Sequence, residues 1–279
     1  MQTLDLKAAT VTNEEIGEGL SAAWEEGSAE LLVAFSGFAT RYRPWESFHF
    51  MGLTRKYPVN KLFFRDTKQA WYHQGVPGVS TNVDETAAYI ASVIAERSVK
   101  RTVAIGVSAG GYAALIHGWL LEVDEVHAIA PQSYIDVDNR LANDDFFMDE
   151  QVANIYETDR AQQEYFDLVP LFTNGQNTRT QFHIHYCRNH RRDTLHALRL
   201  KDAPNVTLHD YEEGGHRLPD RDHRELEFST HHHWRAAAVV QHGTPDGCMR
   251  GHCPRPAQPA RTSGVRPSAP WARRGRRRR

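Results

Sequence analysis

The chain offers one serine in a setting suited to nucleophilic chemistry. Ser108 lies in Gly106-Val107-Ser108-Ala109-Gly110-Gly111, directly after the apolar run Thr102-Val103-Ala104-Ile105 and before the helical stretch Tyr112-Ala113-Ala114-Leu115-Ile116. A serine at a sharp strand-to-helix turn needs small residues two positions to either side, because a Cβ at Gly106 or Gly110 would collide with crowded backbone. The turn lifts the hydroxyl clear of a sheet, and the amide of Ala109 then opens a helix, where it can face a developing oxyanion. Glycine-rich turns of this kind also bind phosphate, but neither the Walker spacing with its lysine nor GxGxxG is present. A serine hydroxyl is a weak nucleophile near neutral pH, so it requires a base, and the base requires a carboxylate to fix its tautomer. Candidates sit where chain leaves strands: Asp193 after Gln181 to Tyr186, and His216 after Val206 to His209. Asp202, Asp210, Glu212 and Glu213 are alternative acids.

The elements that must position these groups follow from hydrophobic patterning. Six runs have strand length and composition: Leu31 to Phe35, Lys61 to Phe64, Thr102 to Val107, Glu125 to Ile129, Gln181 to Tyr186 and Val206 to His209. Helical periodicity marks Val83 to Ile94, Tyr112 to Leu121 and a shorter piece from Asp193 to Leu200. Strands alternating with helices predict an α/β fold with a central, mostly parallel sheet of about six strands and helices on both faces. Between 132 and 180 the alternation lapses into an acidic, aromatic insertion, which is read either as a lid over the site or as a peripheral excursion.

With the serine turn, the later acid and the Gly214-Gly215-His216 loop in this chain order, the sequence resembles the α/β-hydrolase superfamily over roughly 31 to 218. The resemblance implies Ser108 as nucleophile, Asp193 as acid and His216 as base. It also implies that Phe35-Ser36-Gly37-Phe38-Ala39 supplies the second oxyanion donor, making the backbone amides of Phe38 and Ala109 the pair. There is no HGGG run at that loop, and after His216 the chain leads into an arginine- and proline-rich segment instead of an amphipathic helix. The implied activity is hydrolysis of a carboxylic ester through an acyl-enzyme. Acyl transfer to an alcohol uses the same groups, and a binding protein that kept only the fold is the non-catalytic alternative.

Composition bounds the rest. The formal net charge of −2 conceals an asymmetry, because residues 229 to 279 hold eleven arginines against the single acid Asp246. That segment has no Leu, Ile, Phe, Tyr, Lys or Glu, so it lacks the material of a packed core. The expected organisation is a catalytic domain over 1–228 and a disordered basic tail over 229–279. The tail's arginines suit phosphates without needing a fold, yet a solvated extension is the simpler reading, and nucleic acid is not an expected partner. The expected partner is a small ester or acylated molecule.

Three cysteines, Cys187, Cys248 and Cys253, have neither the number nor the spacing of a disulfide framework or zinc knuckle. His183 and His185 share a strand face without an evident third ligand, and His231-His232-His233 could chelate a metal without purpose, so no metal or organic cofactor is expected. The start of the sequence has no secretory pattern and no run is long enough to span a bilayer, which predicts a soluble, cytoplasmic protein. In Phe64 to His73, Trp71 and Tyr72 are read either as pocket lining or as core.

Overall fold

A computed structural model describes residues 12–38, 48–156, 161–175, 177–212, 214–216, 226–229 and 233–236. The chain divides into 1–237 and 238–279, and the second part lies outside the described residues.

The elements run in the order β1 (Thr12–Gly17), β2 (Leu20–Trp24), β3 (Glu30–Phe35), α1 (Met51–Thr54), β4 (Asn60–Phe64), α2 (Val83–Glu96), β5 (Arg101–Val107) and α3 (Ala109–Leu120). They continue with β6 (Glu125–Ile129), α4 (Val137–Ala142), α5 (Asp149–Tyr156), a short 3-10 turn (Gln163–Tyr165), α6 (Leu168–Asn174), β7 (Gln181–Cys187), α7 (Arg191–Arg199) and β8 (Val206–Tyr211). A separate antiparallel hairpin joins β9 (Leu226–Ser229) to β10 (His233–Ala236), across the boundary expected near residue 228.

The main sheet has eight strands in the order β1-β2-β4-β3-β5-β6-β7-β8. All pairs from β4 to β8 are parallel, and β1 and β2 add an antiparallel edge. The six expected strands are present, while β1 and β2 are additional to the reading from sequence. In the parallel part, period-2 alternation divides the side chains between two faces. Leu31, Val33, Phe35, Ala104 and Val126 enter one core with α2 and α3, and Leu32, Ala34, Phe63, Val103 and Ile105 enter the other.

Two helices show how local sequence fixes their starts. Asn82 caps α2 by accepting from the Glu85 amide at 2.8 Å, with Asp84 and Glu85 in the first turn. Helix α3 is buried on nearly every side, which its run of Ala, Gly, Tyr, Leu and Ile permits. The insertion forms three helices and the 3-10 turn, and it is tied to the sheet domain by Arg199, whose guanidinium bonds both Asp167 oxygens at 2.9 Å. Among the described residues no helix is long and apolar enough to cross a membrane.

Candidate active site

Parallel strands deliver their following loops to one edge of a sheet, and here those loops carry the candidate groups. Ser36 to Phe38 follow β3, Ser108 follows β5, Asp193 lies on α7 just after β7, and His216 follows β8.

Ser108 occupies the turn between β5 and α3 with φ 55° and ψ −122°, a conformation that an L residue adopts only under strain. The neighbouring backbones leave no room for relaxation. A Cβ at Gly106 would sit 1.9 Å from the Gly110 carbonyl oxygen, and one at Gly110 would sit 2.2 Å from that of Phe35. Gly37 makes a similar approach, since its Cβ would lie 2.8 Å from the Val107 carbonyl oxygen. The loop after β3 is thereby pressed against the serine turn.

The structure brings together all three residues singled out from sequence. His216 Nε2 lies 2.9 Å from Ser108 Oγ, and His216 Nδ1 lies 2.8 Å from Asp193 Oδ1. The Asp193 carboxylate is almost fully buried, whereas His216 is partly exposed. Ala109 is the first residue of α3, where an amide has no intrahelical acceptor, and the Phe38 amide makes no hydrogen bond among the described residues. The alternative acids lie elsewhere. Asp210 and Glu212 pair with Arg188 at 3.0 and 3.2 Å, Asp202 is exposed beside Lys201, and Glu213 is outside the described residues. The segment 217–225, where the superfamily resemblance would continue, is also outside them.

Two residues not anticipated from sequence join the site. His49 Nδ1 accepts from the Gly37 amide at 3.2 Å and its own amide donates to Ser36 Oγ at 3.0 Å, which pins the loop after β3. His190 caps α7 by accepting from the Asp193 amide at 3.3 Å, and the same nitrogen lies 3.0 Å from Asp193 Oδ1. Trp71 and Tyr72 are core residues, not pocket lining. Trp71 donates to Gln132 at 3.0 Å and packs edge-on to Phe38 with centroids 4.6 Å apart, while Tyr72 donates to the Ser36 carbonyl at 2.8 Å. Both therefore hold the loop from beneath. His196 on α7 is buried, with Nδ1 accepting from the Ser133 amide at 3.1 Å.

Above Ser108 lies a small cavity of about 70 Å³, whose walls include Phe38, His49, Val107, Phe147, Met148 and His216. Phe147 and Met148 come from the 132–180 insertion, so part of that segment borders the serine. The wall is mostly apolar around a few polar atoms, a composition suited to a small acyl group.

Comparison with solved structures agrees with this architecture. The capsule O-acetyltransferase of Neisseria meningitidis serogroup A superposes with a TM-score of 0.56 at 17% identity, covering 77% of this chain and 92% of that one. A putative esterase from Staphylococcus aureus gives 0.53 at 13% identity, covering 84% and 86%. The chain has the α/β-hydrolase fold. The Pyrococcus horikoshii acylaminoacyl peptidase also matches, with a TM-score of 0.50 at 13% identity over 75% of this chain and 37% of the peptidase. No protein-family model matches the sequence, and no curated protein is similar to it. Among α/β-hydrolase folds, then, this chain is related by architecture at identities where sequence carries little.

Proposed function

We propose that the protein is a serine hydrolase that cleaves carboxylic esters through an acyl-enzyme. The observation that carries this reading is the unbroken relay Ser108 Oγ, His216 Nε2, His216 Nδ1, Asp193 Oδ1, with contacts of 2.9 and 2.8 Å. Ser108 Oγ attacks the ester carbonyl carbon while its proton passes to His216 Nε2. The carbonyl oxygen becomes an oxyanion, held by the amides of Ala109 and Phe38. Collapse expels the alcohol, which takes the proton from His216. Water then attacks the acyl-enzyme, gives its proton to Nε2, and Ser108 recovers it as the acid departs. Asp193 keeps Nδ1 protonated and steadies the imidazolium.

In this reading catalysis resides in residues 1–228, the insertion borders the acyl site, and the basic tail over 229–279 takes no part. Acyl transfer is the second reading, favoured by the likeness to the capsule O-acetyltransferase across nearly all of that enzyme. An alcohol would then replace water in deacylation, without any change in the roles of Ser108, His216 and Asp193.

A fluorophosphonate probe tests the shared chemistry. Labelling of the parent at Ser108 that disappears in Ser108→Ala and in His216→Ala is the expected result. A folded parent that does not label would remove the proposal and leave a fold without the activity.

A further inference from the structure

Strands β6, β7 and β8 carry Glu125, His127, His183, His185, His209 and Tyr211 at alternating positions, so period-2 geometry sends all six to one face. The parallel register sets His127 beside His183 and His185 beside His209. The rings meet accordingly. His127 Nδ1 is 3.1 Å from His185 Nε2, His183 Nδ1 is 3.1 Å from His209 Nε2, and His185 Nδ1 is 3.0 Å from Tyr211 Oη. Two tautomer sets satisfy these contacts: in one His127 Nδ1 donates to His185, His185 Nδ1 to Tyr211 and His183 Nδ1 to His209, and in the other every direction is reversed and His127 Nε2 carries a proton towards Glu125. In the first set Nε2 of both His127 and His183 presents a lone pair, so a bound cation would select it.

The carboxylate of Glu125 completes the group. Its Oε2 is 3.5 Å from His127 Nε2, while Arg101 holds the other oxygen at 2.7 Å. One ligand atom each from Glu125, His127 and His183 lies within 4.8 Å of the others. We propose that Glu125, His127 and His183 bind one divalent transition-metal cation of the zinc class, with solvent in the fourth position. Bonds of about 2.0–2.2 Å place neighbouring ligands of a tetrahedral centre roughly 3.3–3.5 Å apart. The Glu125 to His127 spacing already meets that requirement, and closing the third side takes a rotation of the partly exposed His183 ring.

The surroundings suit a cation. His185 holds the His127 ring from behind, as outer partners do in zinc sites generally. Glu125 opens β6 at the end of the sheet opposite Ser108. The ion would brace β6 to β7 and stand apart from the ester chemistry.

The test uses the full chain with His231, His232 and His233 all changed to Ala, so that the tail tract cannot chelate. Titration with Zn²⁺ by calorimetry should show one equivalent bound, Co²⁺ should give the visible absorption of a tetrahedral centre, and Zn²⁺ should raise Tm. Glu125→Gln and His183→Asn, with folding checked by circular dichroism, should each weaken binding by at least about tenfold. As a readout independent of variants, Zn²⁺ should protect His183 from diethylpyrocarbonate. No stoichiometric uptake overturns the site. So does uptake that leaves His183 unprotected, as would occur if the ion sat at His190, Asp193 and His216.

Discussion

His190 and His216 meet at one carboxylate oxygen: their Nδ1 atoms lie 3.0 and 2.8 Å from Asp193 Oδ1. The two contacts differ in kind. His216 Nδ1 can donate to Asp193 throughout catalysis, whereas His190 Nδ1 also faces the Asp193 amide at 3.3 Å and must accept there to cap α7. One nitrogen cannot accept from the amide and donate to the carboxylate at once. The capping role leaves Asp193 to His216.

This division predicts that His190→Asn, which retains a capping oxygen, keeps both stability and ester turnover near the parent. His190→Ala should lose about 1 kcal/mol of stability through the missing cap. Urea unfolding together with esterase rates separates the two. Equal stability of the alanine and asparagine variants would refute the capping role.

Asp193→Asn leaves the shape of the site intact but permits the wrong histidine tautomer. In the proposed mechanism kcat then falls by about 10³–10⁴-fold with little change in KM. Steady-state kinetics on a small activated ester decides this. A loss under tenfold would show that Asp193 does not orient the base.

The serine turn was legible because the serine and its flanking glycines lie within six consecutive residues. Gly106 answers to a local contact, since a Cβ there would come within 1.9 Å of the Gly110 carbonyl oxygen, whereas Gly110 answers to the Phe35 carbonyl on β3 at 2.2 Å, which the fold supplies. Groups assembled by register were not legible. His183 and His185 share a strand, but their partners His127 and His209 come from neighbouring strands 58 and 26 residues away in sequence, which no single periodic window records. The antiparallel strand β2 escaped for another reason: Leu20-Ser21-Ala22-Ala23 is buried throughout, so no inside-outside alternation marks it. His49 acts through its contacts with Gly37 and Ser36, for which sequence has no signal.

The turn makes its own stability prediction. Gly110→Ala forces a methyl into the Phe35 carbonyl and should cost more than about 3 kcal/mol or prevent folding. Gly52→Ala, in α1 with open space around it, should be neutral or stabilising by up to about 1 kcal/mol. The contrast is read from urea midpoints, and a tolerated Gly110→Ala would mean that the elbow is looser than its geometry.

Acid stability follows from two histidines in the first core. Burial holds His117 down at about 4, and burial with the nearby His117 holds His73 at about 3, both below the ordinary 6.5. The unfolded chain therefore takes up these protons first. Their contribution to stability is present above pH 6.5 and is lost as pH falls towards 4, by about 1.4 kcal/mol per unit for each group. Asp66 runs the other way, because burial raises it to about 6; its contribution is present below about 3.8 and is lost as pH rises through 6. Two histidines against one carboxyl leave a net loss on acidification. His117→Asn, which places an amide where Nδ1 meets the Ala113 carbonyl at 2.8 Å, should flatten that slope by about one proton. Urea unfolding between pH 4 and 7 measures it, and an unchanged slope would remove His117 as a source of acid lability.

Phe147 distinguishes a pocket wall from a structural support. It is 42% exposed, yet it borders the cavity above Ser108 and lies under the Arg192 guanidinium at 4.1 Å. A half-exposed ring contributes little to folding, whereas an aromatic wall beside an acyl group contributes to binding in ground state and transition state alike. Phe147→Ala should therefore raise KM for apolar esters by about threefold to thirtyfold with kcat and Tm nearly unchanged, which corresponds to losing about 0.7–2 kcal/mol of uniform binding. A fall in kcat at constant KM would instead make the insertion part of the catalytic alignment, and the segment would then act on the relay as well as on the substrate.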